Sequence, residues 1–401
     1  MCTFVILLCL STPAVASVLP GIDTLQLRHF DALQGKRVGL VTNHTGRSAN
    51  GQSTIDILFT APGVRLVALF SPEHGIRGNE DAKVPSGIDS RTGLPVNSLY
   101  GISCRPTSQM LKGIDLLVID LQNVGSRFYT YIGTVSLVMR AAQSNGIPVV
   151  VLDRPNPING VAMGGAIPVV PVPEKSSGCG ALTSIHPIPT RHGMTIGELA
   201  RLFNGEFGIG CNLTVIPMQG WQRALYYDET ALPWSNPSPN MRSMTAALLY
   251  PGFGILESTN LSVGRGTDRP FELYGAPWFD GNGVATLMQK RTLPGVRFTA
   301  VSFVPSQAGQ PYTGKACSGI GVTITDRRLF DPVLAGLSLL QAIYQLHPSR
   351  FKTVDGFGTE VGDRGVWSQL TTGGQRPEEV IARWQVGLDR FAVVRNKYLL
   401  Y

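Results

Sequence analysis

Charge is scarce in this chain: Asp, Glu, Lys and Arg make up only 15% of its 401 residues. The formal net charge of +7 would suit nucleic acid, an anionic envelope polymer or no specific partner, and because the basic residues are dispersed, with no run of five, nucleic acid is the weaker option. No G-x-G-x-x-G follows the first strand-like segment, which leaves nicotinamide and flavin cofactors without support. The P-loop, H-E-x-x-H and G-x-S-x-G patterns are missing too. Gly264-Arg265-Gly266 is too short a fragment to imply a nucleotide. Of six cysteines none forms a C-x-x-C pair, so neither a structural zinc nor a thioredoxin-like site is expected. No cofactor and no metal are predicted. Past the N-terminus no apolar stretch approaches the length of a membrane-spanning helix.

Apolar residues, by contrast, are plentiful at 43%, with 46 Gly and 28 Pro, which predicts a loop-rich globular protein of two domains. Thr3 to Leu10 is a short apolar run followed by Ala14-Val15-Ala16, the pattern of a secretory leader cut before Ser17. The expected organisation is a signal peptide at 1–16, a Rossmann-like domain at 17–160, a connection at 161–190 and a C-terminal domain at 191–401. Cleavage would leave Cys104, Cys179, Cys211 and Cys317 in a secreted, periplasmic protein. An oxidising compartment would permit a disulfide among them, and their spacing does not say which pair.

From Gly35 to Asp153 apolar strands alternate with helical stretches, the pattern of an α/β fold with a doubly wound parallel sheet. Strands are expected at Val38 to Thr42, Val64 to Phe70, Leu116 to Leu121 and Pro148 to Leu152, with helices near 53–59 and 134–145. A second, smaller α/β or α+β unit should follow, opened by the Thr195–Glu198 capping box. The Pro-, Gly- and Asn-dense segment from Asn236 to Asp280 reads as loop.

Each of the four strands ends in polar, turn-rich sequence, and parallel strands share one carboxyl edge, where ligands bind. The most telling end is Ser71-Pro72-Glu73-His74-Gly75-Ile76-Arg77-Gly78, a carboxylate, an imidazole and a guanidinium spaced by glycines. Asn43 follows the first strand, Gln122 to Arg127 the third, and Asp153-Arg154-Pro155-Asn156-Pro157 the fourth. A carboxyl in a closed cleft can have its pKa raised, so Glu73 is the leading general acid, with His74 beside it. Arg77, Arg127 and Arg265 suit an acidic substrate group, and Tyr129 or Tyr131 could stack on a sugar ring.

At this point the residues match a known pattern. Ser71 to Gly78, Arg127-Phe128-Tyr129-Thr130-Tyr131, Asp153 to Pro157, Arg191-His192-Gly193-Met194-Thr195, Ser238-Pro239-Asn240-Met241 and the stretch Tyr250 to Trp278 resemble the bacterial exo-β-N-acetylmuramidases. The likeness covers essentially the whole mature chain. It implies release of N-acetylmuramic acid from the non-reducing end of peptidoglycan fragments, such as its disaccharide with N-acetylglucosamine or a muropeptide. It also implies a cleft between the two domains, with Glu73 and His74 as catalytic candidates. The substrate-binding candidates are Asn43, Arg77, Gln122, Arg127, Tyr129, Asn156, Arg191, His192, Asn240, Glu257, Asn260 and Arg265. Two positions depart from the family pattern: Asn123 stands for an aspartate and Gly164 for a glutamate. Candidates for a second carboxylate are Asp120, Glu257 and Asp268, unless the substrate's own N-acetyl group is the nucleophile. The rival expectation is a non-catalytic periplasmic protein that binds muropeptide or cell-wall sugar.

Overall fold

The computed structural model describes residues 17–76, 85–169, 179–354 and 356–401. The expected leader and Arg77 lie outside them. In chain order the strands are β1 Arg37–Thr42, β2 Arg65–Ser71, β3 Gly87–Ile88, β4 Pro95–Ser98, β5 Leu116–Asp120, β6 Val149–Leu152, β7 Leu213–Ile216, β8 Leu273–Ala276, β9 Val296–Phe303 and β10 Cys317–Ile324. The helices are α1 Gly21–Leu27, α2 Thr54–Thr60, α3 Tyr131–Ser144, α4 Ile196–Gly205, α5 Met244–Phe253, α6 Gly281–Lys290, α7 Pro332–Leu346, α8 Phe357–Val361, α9 Val366–Leu370 and α10 Pro377–Asn396.

Seven strands form the larger sheet in the order β3-β4-β2-β1-β5-β6-β7, parallel throughout except for β3 at one edge. Its central strands are apolar on both sides, and the two-residue period of a strand divides them between two cores. Val38, Leu40, Leu116, Val118, Val150 and Leu152 face the layer that contains Ile22, Leu25, Ile55 and Leu58 from α1 and α2. Val41, Leu117, Ile119, Val149 and Val151 face α3 and α4, and that core runs on without a break into α5, α7 and β10. The smaller antiparallel sheet, β8-β10-β9, belongs to this second part.

Two expectations are corrected here. The unit expected to begin at residue 191 is not separate, because α4 leads into β7 and β7 pairs with β6 as the last strand of the large sheet. The α/β alternation therefore continues past residue 160 instead of restarting. Within Asn236 to Asp280, expected as loop, α5 is a helix capped by the Ser243 hydroxyl on Ala246 N. Pro251 forfeits one main-chain hydrogen bond there. Gly252 allows a close crossing with α7, since a Cβ on it would fall 1.7 Å from the Pro332 carbonyl oxygen.

The chain places β2 and β4 on one side of β1, then restarts at β5 on the other, so the topological switch point lies between the carboxyl ends of β1 and β5. A buried ion pair occupies it. Arg154 grips Asp120 with Nε and Nη2, the latter at 2.9 Å, while Thr54 Oγ1 donates to Asp120 Oδ2 at 2.5 Å. Asp120 is thus a buried strut of the sheet. A disulfide joins Cys104 to Cys179 across 75 residues, while Cys211 and Cys317 are buried free thiols. Removing one member of a buried pair strands the other charge. Arg154→Met should therefore destabilise the fold by about 3–5 kcal/mol in a urea titration.

Candidate active site

The loop after β2 turns sharply at His74 and Gly75, with φ of 71° and 73°. For His74 this left-handed conformation is uncommon and strained, as happens at functional sites. The turn sets Glu73 in the wall of a cleft of about 340 Å³, together with His74, Tyr129, Thr130, Glu257, Arg265 and Glu360. Thr130, at the start of α3, donates its hydroxyl to Glu73 Oε2 at 2.7 Å. The large-sheet part thus supplies one carboxyl, and the C-terminal part supplies two.

The short turn Gly254–Ser258 and α8 also line the cleft, through Glu257, Ser258 and Glu360. Arg265 donates to Glu257 Oε1 from Nε at 2.9 Å and from Nη2 at 2.5 Å. Its guanidinium also sits 5.4 Å from the Phe271 ring centroid. Glu360 receives the Ser258 hydroxyl at 2.6 Å. Burial, with the neighbouring Glu257 charge adding to it, pushes the Glu360 carboxyl up to about 7. Beneath them is an aromatic floor, in which Tyr250 packs against Phe128 and Phe271, both at 5.0 Å between ring centroids. Tyr129 joins it, while Tyr131 is spent in the core, donating to the Pro237 carbonyl at 2.6 Å and accepting from Asn43 Nδ2 at 2.8 Å.

Of the residues expected from sequence, the cleft brings together Glu73, His74, Tyr129, Glu257 and Arg265. The others described do not line it. Arg127 is the clearest correction, because its guanidinium is buried and gives its hydrogen bonds to Ser184 Oγ at 2.7 Å and to the Glu360 carbonyl at 2.5 Å. That burial lowers its pKa to about 10. Asn43 holds an Asx turn through Thr45, Gln122 ties its own loop to the Pro155 carbonyl, and Asn156 bonds the Met194 carbonyl. Arg191 donates to the Ile158 carbonyl. His192 is buried and held neutral, its pKa pushed down to about 3, and it contacts Asn123. Asn240 is buried away from the cleft lining, and Asn260 bonds the main chain of Arg350 and Lys352. Asp268 is exposed outside the cleft.

Gly164, where the resemblance leads us to expect a glutamate, lines a different hollow with Arg191, Tyr226 and Arg327. Its departure therefore removes no carboxylate from the cleft around Glu73. Glu360 and Tyr250 were not anticipated as site residues. The segment around Glu360 has no motif, and only its packing against Ser258 brings the carboxyl into view.

Residues 38–245 match the model of the N-terminal domain of the exo-beta-N-acetylmuramidase NamZ family, and residues 248–401 match that of its C-terminal domain. The chain belongs to the NamZ family. It is 44% identical over 385 residues to the peptidoglycan beta-N-acetylmuramidase NamZ of Bacillus subtilis, covering 95% of this chain and 91% of that one. Two crystal structures of DUF1343 family proteins from Bacteroides fragilis share the NamZ-type fold seen here. One superposes with a TM-score of 0.86 at 36% identity, covering 97% of this chain and 100% of the other. The second gives 0.76 at 32% identity, covering 96% and 99%. The two-part α/β architecture and the resemblance read from the motifs are thereby established.

The Glu360 carboxyl makes a stability prediction with a definite sign. A carboxyl whose folded-state pKa is raised favours the fold in its protonated form, so that contribution is present below about 4.5 and lost as pH rises through about 7. Glu360→Gln should melt a few degrees higher than the parent at pH 8 and nearly the same at pH 5, as followed by circular dichroism.

Proposed function

We propose that this chain is a glycoside hydrolase that releases N-acetylmuramic acid from the non-reducing end of peptidoglycan fragments, with Glu73 as one of two catalytic carboxyls. The observation that carries this reading is the cleft itself: Glu73, Glu257 and Glu360 all line it, together with Tyr129, Tyr250 and Phe271. Glycoside hydrolysis ordinarily needs two carboxyl groups flanking one bond. A volume of about 340 Å³ lies at the lower end for small-molecule sites, which supports capture of a terminal sugar over passage of a polymer. The disaccharide of muramic acid with N-acetylglucosamine and the muropeptides are the proposed fragments.

Arg265 is the one guanidinium among the described residues of the cleft lining. We assign it to the lactyl carboxylate that distinguishes muramic acid from glucosamine, since a planar fork suits a carboxylate. Glu257 would hold Arg265 in place until substrate arrives. Secretion to the periplasm belongs to the same proposal; the Cys104–Cys179 bridge supports an oxidising compartment. Among the described residues no helix is long and apolar enough to cross a membrane.

Glu73→Gln, assayed on a chromogenic muramic acid glycoside, should lose turnover by at least about 10²-fold. Parent-level turnover in that variant would sink the assignment. Arg265→Leu should raise KM for the muramic acid glycoside at least about tenfold, while the matching N-acetylglucosamine glycoside, if turned over, shows no such rise.

A further inference from the structure

Three carboxyl groups line the cleft, and their surroundings differ. Glu257 is engaged twice by Arg265 and is in effect half of an ion pair. Glu73 accepts one hydroxyl, from Thr130. Glu360 also accepts one hydroxyl, from Ser258, and the guanidinium nearest to it, Arg127, points its hydrogen bond at the Glu360 main-chain oxygen instead of the carboxylate. No cation among the described residues forms a salt bridge with Glu360. The groups that face it are the Glu257 charge, the buried Tyr250 and the Arg127 guanidinium. The main chain beneath it is held firmly, because Arg127 crosses from the β5–α3 connection to bond Glu360 while also bonding Ser184.

We infer that Glu360 is the second catalytic carboxyl and acts as the general acid, leaving Glu73 as the carboxylate that works at the anomeric carbon. This rests on reading the cleft as a glycosidase site, and it moves the acid role expected of Glu73 to a residue that sequence motifs do not mark. Two carboxyls of one cleft that sit in different surroundings can divide into acid and base. A pKa near 7 keeps a large share of Glu360 protonated at neutral pH. In the step, the Glu360 proton passes to the glycosidic oxygen as its bond to C1 breaks, and that oxygen keeps the bonding electron pair. The released sugar alcohol is neutral and Glu360 is left as carboxylate. Water then supplies the new oxygen on C1, and the proton it gives up restores the protonated state of the pair.

Leaving-group dependence tests the division of roles. The full-length protein, Glu73→Gln and Glu360→Gln are compared on the muramic acid–N-acetylglucosamine disaccharide and on a 2,4-dinitrophenyl muramic acid glycoside, whose leaving group needs no proton. Glu360→Gln should lose about 10²–10⁴-fold in kcat on the disaccharide, stay within about tenfold of the parent on the dinitrophenyl substrate, and lose the alkaline limb of the pH–rate profile. Glu73→Gln should lose activity on both. Equal losses for Glu360→Gln on both substrates, with the alkaline limb retained, would reduce Glu360 to a positioning residue and overturn the inference. Parent-level activity of Glu360→Gln on the disaccharide would also overturn it, while leaving the glycosidase reading intact. That reading itself falls if Glu73→Gln, too, turns over the disaccharide at the parent rate.

Discussion

Arg127 is among the largest fully buried side chains, and the relation between the two parts of the molecule depends on it. It leaves the connection between β5 and α3, at the carboxyl edge of the large sheet, and reaches α8 in the C-terminal part. Burying a guanidinium without a carboxylate partner is costly, which is why its pKa falls to about 10. Its hydrogen bonds to Ser184 and the Glu360 carbonyl offset part of that cost. What results is a charged strut that sets one cleft wall against the other. Thr130, three residues further along the same connection, bonds Glu73, so this one connection reaches both the Glu73 loop and α8.

The electrostatics of the cleft follow from this arrangement. Among the described residues of the cleft lining, one guanidinium, Arg265, stands beside three carboxyls, and it pairs with Glu257. Glu360 therefore sits in a partly desolvated site next to a like charge, and its proton is harder to remove. Arginine takes three roles here that its sequence context does not separate. Arg154 stabilises the switch point through Asp120, Arg127 joins the two parts, and Arg265 faces the cleft.

Much of the large sheet was legible because a buried parallel strand must be apolar on both faces. The runs at β1, β2, β5 and β6 leave little alternative, and polar loops at their carboxyl ends identify the functional edge. The Glu73 loop stood out once the other strand-end loops and the family motifs were set beside it. The helix α5 was not legible, because Pro251 and Gly252 read as breakers, whereas in the structure they lie at the end of a helix crossing α7 at Gly336. Nor was the fate of Asn43, Gln122, Asn156 and His192. These residues sit at the right strand ends, but they stabilise the loops from within instead of projecting into the cleft.

The sequence by itself determined the α/β class and the polar loops at the strand ends, among them the one that carries Glu73. These follow from local periodicity and from turn chemistry, which act between near neighbours in the chain. Only the tertiary structure decided that β7 completes the first sheet, that Cys104 pairs with Cys179, and that Arg127 is buried while Arg265 is not. It alone placed Glu360 in the same cleft as Glu73, 287 positions further along the chain. Burial, pairing and proton affinity are set by what packs around a side chain, and that packing is contributed by residues distant in sequence.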